Sequence, residues 1–204
     1  MARKTKDEAE RTRERILASA LALFVKNGYE NTTLTDVAAR LKMTKGAVYW
    51  HFSSKEKLLV AIVDEMLNRF ASELEAKMPR HEMSFHSVAD AMVENAKMIA
   101  KSPSAYLFMK TQVRWGSATM RGVREDLLTN RRFGPFNAFV QAIENDMRKG
   151  AIREGVVPKE AASICLAMWD GLVQAQLDKF LEPDFETVLR RGFESVWISI
   201  KKEQ

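Results

Sequence analysis

One cysteine, nine glycines and five prolines in 204 residues leave several architectures without their raw material. The single thiol, Cys165, forms no intramolecular disulfide and has no companion for a CxxC metal or redox pair. Its neighbours Ile164, Leu166 and Met168 mark a small buried apolar residue rather than a nucleophile. His51, His81 and His86 match neither HExxH nor any paired-ligand spacing, so neither metal nor cofactor is expected. No phosphate loop, dinucleotide fingerprint or nucleophile–base pair is present, which argues against an enzyme. No apolar run reaches the roughly 18 residues needed to cross a bilayer. The basic opening, Met1 to Lys6, is followed by charge rather than by an apolar stretch. Neither membrane nor secretion is expected, and the cytoplasm is the expected compartment.

What is there is helix-forming. With few turn-formers and no sustained apolar–polar alternation, hairpins are disfavoured and helices expected throughout. Hydrophobic residues make up 46% and charged residues 29%, the balance of a soluble globular chain. The net charge of +5 is not spread evenly. Residues 1–60 carry 12 Lys/Arg against 7 Asp/Glu, whereas residues 61–204 carry 20 of each. A basic first third joined to a neutral remainder points to one part that meets a polyanion and another with a different task.

The periodicity predicts about nine helices. The first covers Asp7 to Asn27, with Ile16, Ala20, Leu23 and Phe24 on one stripe and Asn27-Gly28 ending it. Thr33 with Asp36 forms a capping box for a second helix whose inward pair is Val37 and Leu41. Lys42-Met43 turns the chain, and Thr44 caps a third helix from Lys45 to Phe52. Ser53 with Glu56 signals the start of a long fourth helix, Lys55 to Lys77, stopped by Pro79. Residues 79–84 form the best boundary. Further helices are expected over Phe85–Lys101, Ser104–Trp115, Thr119–Lys149 (broken at Gly134-Pro135), Pro158–Leu181 and Phe185–Lys202. The organisation expected is residues 1–54 as a helix-turn-helix domain, 55–78 as a connecting helix, and 79–204 as a ligand-binding and dimerisation domain.

Two short helices joined by a tight turn are the geometry of a DNA-reading unit. A third helix about 12 Å long fits a major groove about 12 Å wide. Val48 and Phe52, four residues apart, anchor it inward, leaving Lys45, Tyr49 and Trp50 elsewhere around its axis. Thr44, Lys45 and Gly46 form its first turn. There Lys45 can reach a phosphate or guanine edge, and Gly46 permits close backbone approach. Thr44 and Ala47 are small enough to touch base edges. Tyr49-Trp50-His51-Phe52 could be mere core aromatics. However, the four cannot all face inward on one helix, and exposed aromatics beside lysines mark an interface.

The ordered run Asn27-Gly28-Tyr29, Thr32-Thr33, Asp36-Val37-Ala38 and Thr44-Lys45-Gly46-Ala47-Val48-Tyr49-Trp50-His51-Phe52, followed by Ser54-Lys55, resembles the TetR family. Within that family it resembles the multidrug-efflux repressors of the AcrR kind. The resemblance covers about residues 5–65. It implies that Thr33 meets the DNA backbone and that Thr44, Lys45, Gly46 and Ala47 face the groove. It further implies that Tyr49, Trp50 and His51 touch phosphates, sugars or a base methyl, and that Lys55 reaches a flanking phosphate. This chain departs from the family's pattern at Lys42, where a glycine often stands.

Beyond residue 80 methionines and aromatics accumulate, a composition suited to an adaptable apolar cavity as well as to an ordinary core. The candidate lining is Met98, Phe108, Trp115, Phe136 and Met168, with the polar residues Glu94, Gln112, Asn137 and Gln141. Two stripes read as a homodimer interface: Met168, Leu172 and Ala175 on one helix, and Leu189, Phe193, Val196, Trp197 and Ile200 on the next. The expected partners are therefore a second copy, palindromic double-stranded DNA and a small-molecule effector. The expected protein is an all-helical regulator that a small lipophilic or cationic ligand releases from its operator, with efflux control as one outcome. The alternatives are a DNA-binding regulator without small-molecule input and a helical ligand carrier.

Overall fold

The structure is a computed structural model; it describes residues 6–107, 110, 121, 134–181 and 184–203. The described helices are α1 (Lys6–Asn27), α2 (Leu34–Arg40), α3 (Lys45–His51), α4 (Lys55–Lys77), α5 (Phe85–Lys101), α6 (Ser104–Leu107), α7 (Pro135–Arg148), α8 (Pro158–Leu177) and α9 (Phe185–Ile200). A 3-10 turn spans Arg80–Glu82, and an isolated bridge joins Ile152 to Lys201. No described helix is long and apolar enough to cross a membrane. The chain forms two compact units, residues 1–66 with 104–131, and residues 67–103 with 132–204. The division falls inside α4, upstream of the Pro79 turn.

The first unit closes around Ile16, Ala20 and Phe24 of α1, Leu34, Val37 and Ala38 of α2, Val48 of α3, and Leu58 and Leu59 of α4, all buried. Leu41 packs against this core from its edge. The helix starts are capped locally. Thr33 Oγ1 accepts from Asp36 N–H at 3.2 Å, while an Asp36 carboxylate oxygen accepts from Thr33 N–H at 2.8 Å. Ser54, not Ser53, takes up the start of α4: its hydroxyl accepts from Lys57 N–H at 3.2 Å. The α2–α3 turn survives without glycine. Lys42 adopts a left-handed φ of 54°, and Lys42 N–H and Met43 N–H donate to the carbonyls of Ala39 and Ala38 at 3.1 and 2.9 Å. That pairing is the Schellman closure, with lysine where glycine would be unstrained.

The second unit packs α5, α7, α8 and α9 around Phe85, Val93, Phe139, Ile143, Leu189 and Phe193. The Phe139 ring lies 5.6 Å from both Phe85 and Phe193. The turn before α5 is fastened by two buried polar residues of α7. Asp146 accepts from Phe85 N–H at 2.8 Å, and Asn145 Nδ2 donates to the carbonyls of Met83 and Arg80 at 2.8 and 2.9 Å. Cys165 is fully buried, and burial pushes its thiol up to about 12, so it stays protonated and inert.

Candidate nucleic-acid interface

The sequence of α3 divides its seven residues into an anchored and an open face. Val48 is fully buried and Phe52, the C-cap, nearly so; Phe52 also carries the Arg13 guanidinium 5.5 Å from its ring centre. These contacts fix the helix on α1 and α2. The opposite side carries Lys45, Gly46, Tyr49 and Trp50, all exposed, with Trp50 at 74% and Tyr49 at 44%. Lys45 Nζ lies 5.3 Å from the Tyr49 ring centre, and the Trp50 ring meets His51 edge-on at 4.6 Å. A flat, amphipathic surface flanked by a cation is suited to sugars, phosphates and base edges. Large exposed aromatics have no folding reason to face water.

The remaining candidates stand around this face. Thr44 is exposed and its hydroxyl accepts from Ala47 N–H at 3.2 Å. Ala47 and His51 are half-buried along the helix flanks. Thr33 is exposed at the start of α2, and its hydrogen bonds hold the Asp36 carboxyl below its ordinary value. A Cβ added to Gly46 would meet no described atom within 4 Å, so the fold of the chain does not require glycine there. Lys55 is half-buried, its ammonium donating to Tyr29 O at 2.8 Å and Glu30 O at 3.3 Å. Lys57 and Lys42 supply further exposed cations nearby in sequence.

Comparisons with known proteins decide the family. Residues 16–62 match the family described as bacterial regulatory proteins, tetR family. The transcriptional regulator SrpR of Pseudomonas putida is 32% identical over 159 residues, covering 78% of this chain and 69% of SrpR. This chain belongs to the TetR family. The family match lies within the α1–α4 core that holds α3 in place. AcrR of Shigella flexneri is 40% identical over 87 residues, 41% of this chain and 40% of AcrR. A solved complex of SmeT with triclosan is 27% identical with a TM-score of 0.75, covering 95% of this chain and 93% of that one. SmeT is described as the repressor of the Stenotrophomonas maltophilia multidrug efflux pump SmeDEF. The protein is thus a TetR-family transcriptional regulator, not an enzyme, and is related to efflux-pump repressors.

The candidates in the second unit fare differently. Phe108, Gln112 and Trp115 lie outside the described residues. Glu94 is exposed and pairs with Lys97 at 3.1 Å, whose ammonium also reaches Glu186 at 3.1 Å. Met98 and Asn137 are exposed, Phe136 is half-buried, and Gln141 donates to Asn145 Oδ1 at 3.1 Å. A shallow cleft of about 120 Å³ lies between α5 and α9 over Ala89, Val93 and Phe193, and no ligand-binding candidate lines it.

The expected dimer stripe also needs correction. Leu189, Phe193 and Ile200 are buried in this chain's own core, because α9 uses its most apolar face to close over Phe85 and Phe139. Trp197 stacks on Phe85 at 5.5 Å, and Met168 fills the space that a Cβ on Gly192 would need. Leu172, Ala175 and Val196 are half-buried. Ile164 on α8 and Val188 and Ile198 on α9 are large apolar residues left exposed, and Gly171 of α8 is exposed as well.

Proposed function

We propose that this protein is a homodimeric repressor that holds a palindromic operator through α3 and is released by a small lipophilic or cationic ligand. The observation that carries the DNA reading is the split of α3, anchored by Val48 and Phe52 while Lys45, Tyr49 and Trp50 face water. Thr44, Lys45, Gly46 and Ala47 enter the major groove, Thr33 and His51 meet the backbone, and Tyr49 and Trp50 press on sugars, phosphates or a thymine methyl. Glycine at position 46 suits this reading, since it lets the backbone of the first turn of α3 approach the duplex closely. Residues 1–54 are the DNA-binding domain, α4 the connector, and residues 79–204 the effector and dimerisation part. Two such heads about 34 Å apart read successive major grooves. The dimer forms through the outward face of α8 and α9, at Ile164, Gly171, Val188 and Ile198, with Met168, Ala175 and Val196 along its margin.

Kinship to SmeT, described as an efflux-pump repressor, supports a gene for drug efflux as the target, and the SmeT–triclosan complex supports a lipophilic effector. The effector acts by binding one arrangement of the dimer more tightly than the operator-bound one. A regulator of this kind works in the cytoplasm, where its DNA is. The test is a genome-fragment binding selection with purified protein at near-physiological salt, followed by shift assays on enriched sites. A palindrome bound selectively, lost in Lys45→Ala and Tyr49→Ala and weakened by lipophilic cations or phenols, is the expected result. Uniform binding that is indifferent to both substitutions would refute it.

A further inference from the structure

Lys42 stands where the backbone suits glycine better. It closes α2 at a φ of 54°, a left-handed conformation that a residue with a Cβ adopts only at a cost. Lys42 N–H donates to Ala39 O at 3.1 Å and Met43 N–H to Ala38 O at 2.9 Å. The same pair of bonds closes two other helices. After α7, Gly150 N–H donates to Met147 O and Ala151 N–H to Asp146 O, with Gly150 at φ 73°. After α8, Lys179 N–H donates to Gln176 O and Phe180 N–H to Ala175 O, with Lys179 at φ 60°. The closure itself therefore does not call for a lysine. A cation at a helix C-terminus is favourable in itself, but that reason applies equally to Lys42 and Lys179. What sets Lys42 apart is its place. Leu41 and Met43 on either side of it pack against the core of the first unit, while Lys42 is exposed together with Thr44, Lys45 and Gly46. Thr44 is the N-cap of α3, so Lys42 lies two residues, at most about 7.6 Å of chain, from the start of the reading helix. Its side chain forms no hydrogen bond or ion pair with the described residues. All three ammonium donors are open at the edge of the candidate interface.

We propose that Lys42 is an additional operator contact, its ammonium binding a backbone phosphate at the edge of the groove that the first turn of α3 enters. The proposal deepens the DNA-binding reading above and rests on it. Phosphate is the ligand that fits, because an ammonium on a flexible four-carbon stem acts as a point charge and needs no fixed geometry. Such a contact adds affinity and register without reading sequence. It also gives the left-handed lysine a function that glycine in the same turn could not perform.

The test uses the full chain, the operator recovered by the selection and a one-base variant of that operator. Affinity is measured across a salt series for wild type, Lys42→Gly, Lys42→Asn, Lys42→Arg and Lys179→Gly. Glycine removes the charge and the strain together, whereas asparagine tolerates the left-handed backbone and keeps an uncharged side chain. Lys179→Gly makes the same exchange at the same kind of helix end in the second unit. Lys42→Gly and Lys42→Asn are expected to bind about tenfold more weakly and to flatten the slope of log affinity against log salt by about one for each reading head engaged. The loss should be equal on both DNAs, leaving their affinity ratio unchanged. Lys42→Arg and Lys179→Gly are expected to keep the wild-type affinity and slope. None of these substitutions removes a buried group, and Lys42→Gly should melt no lower than wild type, so weaker binding is not unfolding. Wild-type affinity and slope in Lys42→Gly and Lys42→Asn would overturn the proposal. An affinity loss at unchanged slope would overturn it too, by showing a disturbed turn rather than a lost phosphate. So would equal flattening in Lys179→Gly, which would reduce the effect to net charge, or a changed affinity ratio, which would mark a base contact. Failure of the DNA-binding reading itself would appear in wild type alone, as absence of operator selectivity, and would take this proposal with it.

Discussion

Two amphipathic helices, α3 and α9, taught opposite lessons. On both, the spacing of apolar residues identified a buried face. In α3 the inward residues Val48 and Phe52 lie in the core shared with α1 and α2, and Lys45, Gly46, Tyr49 and Trp50 are left exposed. In α9 the stripe Leu189, Phe193 and Ile200 was expected to meet a second copy and is buried in this chain, where α9 packs on α5 and α8 and Phe193 meets Phe139 of α7. Periodicity tells that a face is covered; it does not tell by what. The difference is one of competition. A seven-residue helix with two apolar anchors has a single place to put them, whereas a sixteen-residue helix can satisfy an intrachain core on one face and a partner on another.

The sharpest way to break this contrast is to remove a residue from each face of α9. Phe193→Ala should destabilise the free protein by about 3–5 kcal/mol, read by denaturant unfolding, because it opens a cavity beside Phe139. Ile198→Glu should leave the monomer's stability within about 0.5 kcal/mol, as exposed substitutions usually do, while shifting the sedimentation profile toward monomer. Similar sedimentation for both variants would return Phe193 to the interface. Next in size comes the fastening of the turn before α5. Asn145→Ala removes the side-chain donor to the carbonyls of Arg80 and Met83 and should cost about 1–3 kcal/mol, again by denaturant unfolding.

On α3 the contrast is between stability and binding. Gly46→Ala should stabilise the free protein by about 0.5–1 kcal/mol, since alanine is the better helix former and the space beside it is open. The same variant should bind the operator more weakly in a shift assay. A rise in both would mean that DNA does not approach Gly46. Left-handed lysines offer a matched pair across the two units: Lys42 at φ 54° and Lys179 at φ 60° occupy the helix-end position that Gly150 fills elsewhere at φ 73°. Lys42→Gly and Lys179→Gly should each raise the unfolding free energy by up to about 1 kcal/mol, by relieving left-handed strain. The smallest effect concerns pH. The Asp36 carboxyl is held below its ordinary value by Thr33, so its capping contribution is present at neutral pH and is lost as pH falls through its lowered value. Thr33→Ala should therefore narrow the gap to wild type in thermal melts as the pH is taken below about 4.

The reading head was legible in the sequence because its information is local. Thr33 and Asp36 lie within one turn of each other, Thr44 caps a helix that starts at the next residue, and Val48 and Phe52 recur at helical spacing. The hydrogen bonds of Lys55 were not legible, because its carbonyl partners lie 25 and 26 residues away. Asn145 and Asp146 were invisible for the same reason: their partners are 61 to 65 residues distant, and in sequence they are ordinary polar residues of an amphipathic helix. The ion pairs of Glu94 were hidden likewise, because they run through Lys97 to Glu186 on another helix.

By itself, then, the sequence determined the helical class, most helix boundaries and the two faces of α3, because caps, turn residues and 3.6-residue periodicity act over a few residues of chain. Tertiary structure alone decided which apolar stripe of α9 closes the core and which stays outside, and where Lys55, Asn145 and Asp146 spend their hydrogen bonds. Those outcomes depend on groups far apart in the chain competing to satisfy one another's buried surface and unpaired donors and acceptors, and that competition is settled only when the helices pack.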